Sequence, residues 1–334
     1  MTQIVGAPVR WGMIGLGSIA SVVAAEFPLV EDGELTAVAS RSRDRARRFA
    51  ADHRAVRAYG SYADLIADPA IDAVYVATPH PYHRRDAAAA IGADKAVLVE
   101  KAFTATRAGA ETLVPAARSR GVFLMEAMWT RYQPVVRRLC DLVADGAIGE
   151  VTHVEADLST ARVSNPGTAA TERRLGRGAL LDLGPYVVSF AQMLLGNPVT
   201  VRAQGSVDDS GLDVDARLRL EFATGGAADL TCSLLQEAPH GARVTGSAGW
   251  IDVLPKFQHP STIVLDRPGR DPVQLTAPPR GTGYAHEFDE VNRCLLAGEL
   301  ESPLMPLSDT LAEQGVLDDA LRQLGTGYPE LDDD

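Results

Sequence analysis

Between Val9-Arg10-Trp11-Gly12-Met13-Ile14, which reads as a buried strand, and a helical pattern over 18–27, the chain carries Gly15-Leu16-Gly17-Ser18-Ile19-Ala20. Strand, glycine spacing and helix in this succession form the G-x-G-x-x-A fingerprint of a dinucleotide-binding crossover. Gly15 permits the tight turn, and Gly17 lets the backbone approach a pyrophosphate. Ser18 and Ile19 open a helix whose N-terminal amides favour an anion, and Ala20 keeps that helix close to the sheet. A parallel sheet is expected, since a strand followed by a helix returns to a parallel neighbour.

The second strand, Leu35-Thr36-Ala37-Val38-Ala39, is where a carboxylate would hold a ribose diol. It ends instead in Ser40-Arg41-Ser42-Arg43. A guanidinium grips a 2′-phosphate and a serine hydroxyl donates to it, whereas an aspartate would repel it. Ser40 and Arg41 therefore point to NADP rather than NAD, although solvated arginines at a helix start would look the same.

Further short apolar strands, over 73–77, 96–99 and 122–125, alternate with helices over 84–91 and 108–119. Such alternation implies a doubly wound sheet with right-handed crossovers. Its ligands sit beyond the carboxyl ends of the strands, which selects Thr78-Pro79-His80, Glu100-Lys101 and the stretch from Glu126 to Trp129. After about residue 130 the pattern changes. An amphipathic helix over 134–145 precedes a strand over 151–158. Apolar and charged residues alternate over 212–222, turn at Thr224-Gly225-Gly226, and return over 227–235 as a hairpin. Short strands follow over 242–246, 250–254 and 262–265.

The expected architecture is an α/β Rossmann domain over 1–130 followed by an α+β domain over 131–334 with an open, mostly antiparallel sheet. Its last helix, over 308–324, is expected to pack back on the body. A length of 334 residues suits two domains. The free face of the second sheet is solvated or covered by a second subunit, so a homodimer through that sheet is expected. The net charge of −12 argues against a nucleic-acid binder. No apolar run spans a bilayer and no secretory leader is evident. Cys140, Cys232 and Cys294 lack metal or redox spacing, which suits the cytoplasm. The acidic tail Asp332-Asp333-Asp334 reads as solvated.

Two segments carry groups fit for proton transfer. Lys101, leaving a strand beside the nicotinamide end of a dinucleotide, would bond a ribose and a substrate hydroxyl and ease formation of an alkoxide. A solvated lysine at a strand end fits equally well. In Gly178-Ala179-Leu180-Leu181-Asp182-Leu183-Gly184-Pro185-Tyr186, a helix beginning near Asp182 would put its carboxylate and the Tyr186 phenol on one face. A phenol near a lysine can serve as acid and base. A helix cap and a buried tyrosine account for the same residues. His53, His153, His240, His259 and His286 have no ligand spacing, and no metal is expected.

Gly15–Ala20, Glu100-Lys101 and Gly178–Tyr186, in this order and layout, resemble the glucose-fructose oxidoreductase/inositol dehydrogenase/rhizopine catabolism (Gfo/Idh/MocA) family. The stretch Phe123-Leu124-Met125-Glu126-Ala127-Met128-Trp129-Thr130-Arg131 and His80-Pro81-Tyr82-His83 look like its dihydrodiol and sugar dehydrogenase branch. Glu301-Ser302-Pro303 extends the likeness nearly to the end of the chain. The resemblance implies hydride transfer between NAD(P) and a secondary alcohol or carbonyl of a small sugar, polyol or vicinal diol. It implies Lys101 as the active-site lysine, Tyr186 as the acid–base group, and Asp182 as a substrate- or lysine-orienting carboxylate. It also implies that Thr78, His80, His83 and Glu100 flank the cofactor, although His83 fits a polar helix start as well, and that Trp129 and Arg131 belong to the substrate pocket. Two residues depart from the pattern: Ala102 stands where the family has proline, and Arg177 interrupts a glycine-rich run. A non-catalytic dinucleotide sensor is the alternative, and an oxidoreductase that recycles a bound cofactor is a third reading.

Overall fold

Six mostly apolar runs of the first part of the chain pair as parallel strands: Val9–Ile14 (β1), Gly33–Ala39 (β2), Arg57–Tyr59 (β3), Ala73–Val76 (β4), Ala96–Glu100 (β5) and Leu124–Ala127 (β6). Their order is β3-β2-β1-β4-β5-β6. The crossovers are Ser18–Glu26 (α1), Arg43–His53 (α2), Tyr62–Ile66 (α3), His83–Gly92 (α4) and Arg107–Arg120 (α5). Ser42, Ser61 and Thr106 cap three of them, their hydroxyls accepting from Arg45 N (3.4 Å), Asp64 N (3.1 Å) and Gly109 N (3.0 Å). Each bond satisfies an amide that the first helical turn leaves without a partner. The strand order reverses between β1 and β4, so the loops after these strands border the crevice where such sheets take ligands. The computed structural model describes residues 7–162 and 168–332.

The second sheet comprises Val151–Ser159 (β7), Pro198–Val207 (β8), Asp213–Phe222 (β9), Ala227–Ser233 (β10), Ala242–Gly246 (β11), Gly249–Val253 (β12), Thr262–Asp266 (β13) and Val273–Thr276 (β14). Its order is β14-β13-β12-β11-β7-β10-β9-β8. β7 and β10 run parallel, and the other pairs are antiparallel. Pro134–Ala144 (α6), Ala169–Arg174 (α7), Ala179–Asp182 (α8) and Gly184–Leu195 (α9) complete this part, with α9 packed on β7 and β10.

The alternation expected over 212–222 holds from Ala216 onward and fails before it. Ser206 pairs with Asp215 and Val207 with Asp213, which leaves Val214 as an extra residue. Such a bulge exchanges the two faces of a strand. Asp213, expected on the solvent face, is therefore fully buried, at 0% exposure.

The chain divides into two units, and not by a single cut. One holds the residues up to Ala127, Arg280–Thr310 and the segment from Pro329; the other holds Met128–Pro279 and Leu311–Tyr328. Ala285–Ala297 (α10) brings Phe288 edge-on to Trp11, Phe27 and Tyr75, with ring centroids 4.8–5.3 Å apart. Trp11 Nε1 donates to Asn292 Oδ1 at 3.0 Å. These aromatic contacts are each worth about 0.5–1.5 kcal/mol beyond the area they bury, and they explain why a late helix belongs with the first strands. Leu307–Gln323 (α11) starts in the first unit and continues in the second. Of the acidic tail, Asp332 pairs with Arg84, and residues 333 and 334 lie outside the described residues. Among the described residues no helix is long and apolar enough to cross a membrane.

Candidate active site

At the end of β1, Gly15 takes a φ of +83°, and a Cβ there would overlap the backbone of Ala77 and Thr78 at the end of β4. This glycine is fixed by the turn. Gly17 is different: its φ of −87° suits any residue, and a Cβ would meet nothing within 4 Å. It caps α1 with no side chain, leaving the first amides of the helix open. Ser18 is exposed, Ile19 half-buried and Ala20 buried. Beside this cradle the buried Thr78 Oγ1 lacks a hydrogen-bond partner. Clearance at Gly17, free helix amides and an orphaned hydroxyl fit a dinucleotide phosphate bridge.

At the end of β2, Ser40 is buried and its Oγ accepts from Ser42 N at 3.3 Å. Arg41 is exposed. Arg45, not singled out from the sequence, donates to the Leu16 carbonyl in the middle of the glycine loop. Its place in the first turn of α2, three residues past the Ser42 cap, was the available signal.

The turn after β5 is pinned from two sides. The Lys101–Ala102 peptide is cis, and Ala102 and Phe103 are fully buried. His83, 1% exposed, sets Nδ1 at 2.8 Å from the Ala102 carbonyl and Nε2 at 2.5 Å from the Thr78 carbonyl. Burial lowers its pKa while the two carbonyls oppose that shift, and a ring nitrogen that carries hydrogen donates to the carbonyl it faces. From β6, the buried Glu126 accepts from Phe103 N at 3.1 Å. The missing proline is thus offset by two side chains that hold the residues after Lys101. Glu100 is buried, accepts from the Tyr75 hydroxyl, and has its pKa raised by burial. Lys101 is half-buried. His80 lies edge-on to His83, with centroids 5.6 Å apart.

In the second unit the segment 178–186 is not one helix. Asp182 closes α8, and Tyr186 lies in the first turn of α9. Leu183, at φ −116°, separates them. The expectation of a helix starting at Asp182, with its carboxylate at a positive helix end, is therefore corrected. Asp182 instead pairs with Arg162 at 2.5 Å. Tyr186 is half-buried. Arg177 is exposed and pairs with Glu172 at 3.3 Å, so its charge is met outside the buried segment.

Trp129 and Arg131 are buried. The Trp129 ring lies 5.1 Å from that of His259. Arg131 donates to Ser189 Oγ and Gln192 Oε1, both at 2.8 Å. These bonds tie it to α9. Among the described residues no cluster of three or more His, Cys, Asp or Glu side chains is arranged to hold a metal.

Residues 9–128 match the family described as oxidoreductase family, NAD-binding Rossmann fold, and residues 136–252 match the GFO/IDH/MocA C-terminal domain. The trans-1,2-dihydrobenzene-1,2-diol dehydrogenase of Xenopus tropicalis is 35% identical over 329 residues, covering 96% of this chain and 99% of that protein. The human protein of that name is 31% identical over 333 residues, covering 96% and 98%. Among solved structures, a 3-ketoreductase from Actinomadura kijaniata in complex with NADP and TDP-benzene superposes with a TM-score of 0.82 at 29% identity, covering 96% and 98% of the two chains. An aldose-aldose oxidoreductase from Caulobacter crescentus complexed with glycerol gives 0.86 at 26% identity, covering 95% and 98%.

Proposed function

The chain belongs to the Gfo/Idh/MocA oxidoreductase family, and on that footing we propose that it is an NADP-dependent dehydrogenase or reductase of a small sugar, polyol or vicinal diol. The observation that carries the reading is the juxtaposition, within the first unit, of the open cradle at Gly17 and the orphaned Thr78 hydroxyl with the pinned turn after Lys101. The full-length likeness to dihydrodiol dehydrogenases and sugar oxidoreductases supports the substrate class.

A dinucleotide held by the loop Gly15–Ala20 and Thr78 would supply the hydride donor or acceptor. The chain's own part is to move the hydroxyl proton and bear the charge that develops. Tyr186 takes or returns that proton as general base or acid. Lys101 stabilises the developing alkoxide with its ammonium group, and Asp182 orients the reacting groups. Three unpaired thiols suit a reducing cytosol.

Arg41 gives the reading a test that needs no substrate. A charge-assisted bond to a 2′-phosphate contributes about 1.5–3 kcal/mol, or roughly 10- to 100-fold in affinity. Fluorescence titration should show NADPH bound more tightly than NADH. Alanine at Arg41 should weaken NADPH by that factor and leave NADH within about twofold. An NADH preference in the parent protein would sink the assignment.

The exposed face of the second sheet carries the ion pairs Arg219–Asp229 (2.5 Å) and Arg243–Asp252 (2.6 Å), a polar surface compatible with a second copy. A homodimer through this face should sediment at twice the chain mass, and reversing the charge of Arg219 and Arg243 should weaken it. A monomer at micromolar concentration would refute the dimer.

A further inference from the structure

α8 begins at Gly178, which has no side chain with which to cap the helix. Its φ of −76° is open to any residue, yet a Cβ there would overlap Asp213 Oδ1 and the Tyr328 hydroxyl. The glycine therefore leaves room for a cap supplied from elsewhere. Asp213 Oδ2 accepts from Leu180 N at 2.6 Å, and Oδ1 accepts from the Tyr328 hydroxyl. The bulge at Val214 is what turns this carboxylate inward.

From this cap, backbone bonds run onward through the segment. Asp182 N donates to Gly178 O (3.0 Å), Leu183 N to Ala179 O (2.9 Å), and Tyr186 N to Leu183 O (3.2 Å). We propose that Asp213 is a positioning residue: its buried carboxylate caps α8 from β9 and fixes the segment that carries Asp182 and Tyr186. This inference rests on the reading of Tyr186 as the acid–base group.

A rigid anchor at this point has a physical reason. α8 is only four residues long, too short to persist on its own hydrogen bonds. An unmet amide in a buried setting would favour unwinding it. Burial pushes the Asp213 pKa up to about 6, with Asp182 adding like charge and the Tyr328 hydroxyl opposing the rise. What the cap requires is an acceptor facing Leu180 N, and a neutral one serves. Asparagine provides it, with its amide nitrogen donating to the Tyr328 oxygen; leucine fills similar volume and provides none.

The test uses the full chain and reads two quantities. Without substrate, amide hydrogen exchange at residues 180–183 should accelerate tenfold or more in Asp213→Leu. It should stay near the parent rate in Asp213→Asn and fall between in Tyr328→Phe. With substrate and NADP(H), kcat should fall tenfold or more in Asp213→Leu and recover to within about threefold in Asp213→Asn. The nucleotide Kd should stay within twofold throughout. Should Asp213→Leu not fold, Asp213→Asn and Tyr328→Phe still give the expected order of exchange rates. Unchanged exchange in the variants overturns the cap. Faster exchange with unchanged kcat overturns the positioning role. A parent protein that binds NADPH but turns over no CH–OH or carbonyl substrate removes the catalytic reading and with it the positioning role, while exchange still decides the cap.

Discussion

Replacing Tyr186 with phenylalanine should lower turnover by about 10²-fold or more, the usual weight of a positioned general acid or base. The substitution deletes one oxygen from a half-buried ring in the first turn of α9, leaving the packing of that helix on β7 and β10 unchanged. Folding and nucleotide affinity should therefore match the parent protein, and the loss should appear in kcat more than in KM. Lys101→Met should also lower kcat, through loss of the charge that stabilises the alkoxide. Steady-state kinetics on any accepted substrate, with thermal unfolding as control, measures both. Unchanged turnover in a well-folded Tyr186→Phe variant would remove the phenol from the chemistry.

Valine at Gly17 should cost nucleotide binding about 100-fold, or about 2.7 kcal/mol, while leaving the melting temperature of the nucleotide-free protein within a few degrees. The reasoning is geometric. No protein atom lies within 4 Å of where the Cβ would stand, so the free chain has room for the side chain. A pyrophosphate laid on the helix N-terminus has none. Valine at Gly15 should behave otherwise, because the turn there needs a φ of +83° and the new carbon would overlap Ala77 and Thr78. That variant should lose stability and binding together. Melting curves without nucleotide, paired with NADPH titrations, separate the two glycines. Parent-like NADPH affinity in Gly17→Val would mean that the cofactor does not cross this loop.

The first unit was largely legible because its information is local. β1, β4 and β5 are apolar runs bounded by turn residues, and the fingerprint states its own geometry. Other parts depend on partners distant in sequence. β8 and β14 lie at the two edges of the second sheet and hold no buried residue, so their apolar–polar alternation marks no core face. α10 looks like any amphipathic helix until Phe288 meets Trp11. Asp213 reads as a solvent-facing charge because a bulge leaves no mark in composition. The pinning of Ala102 and Phe103 by His83 and Glu126 is likewise tertiary. Sequence marks the missing proline as a departure, and only the structure supplies what offsets it.

The most direct measurement mixes the purified protein with NADPH and a panel of dicarbonyls, keto-sugars and aldoses, and with NADP and a panel of vicinal diols and sugars, following the absorbance of the reduced nicotinamide. A substrate-dependent change with NADP(H), slower by two orders of magnitude in Tyr186→Phe, is the predicted result. Tight NADPH binding with no change across either panel would contradict the account and leave a dinucleotide sensor in its place.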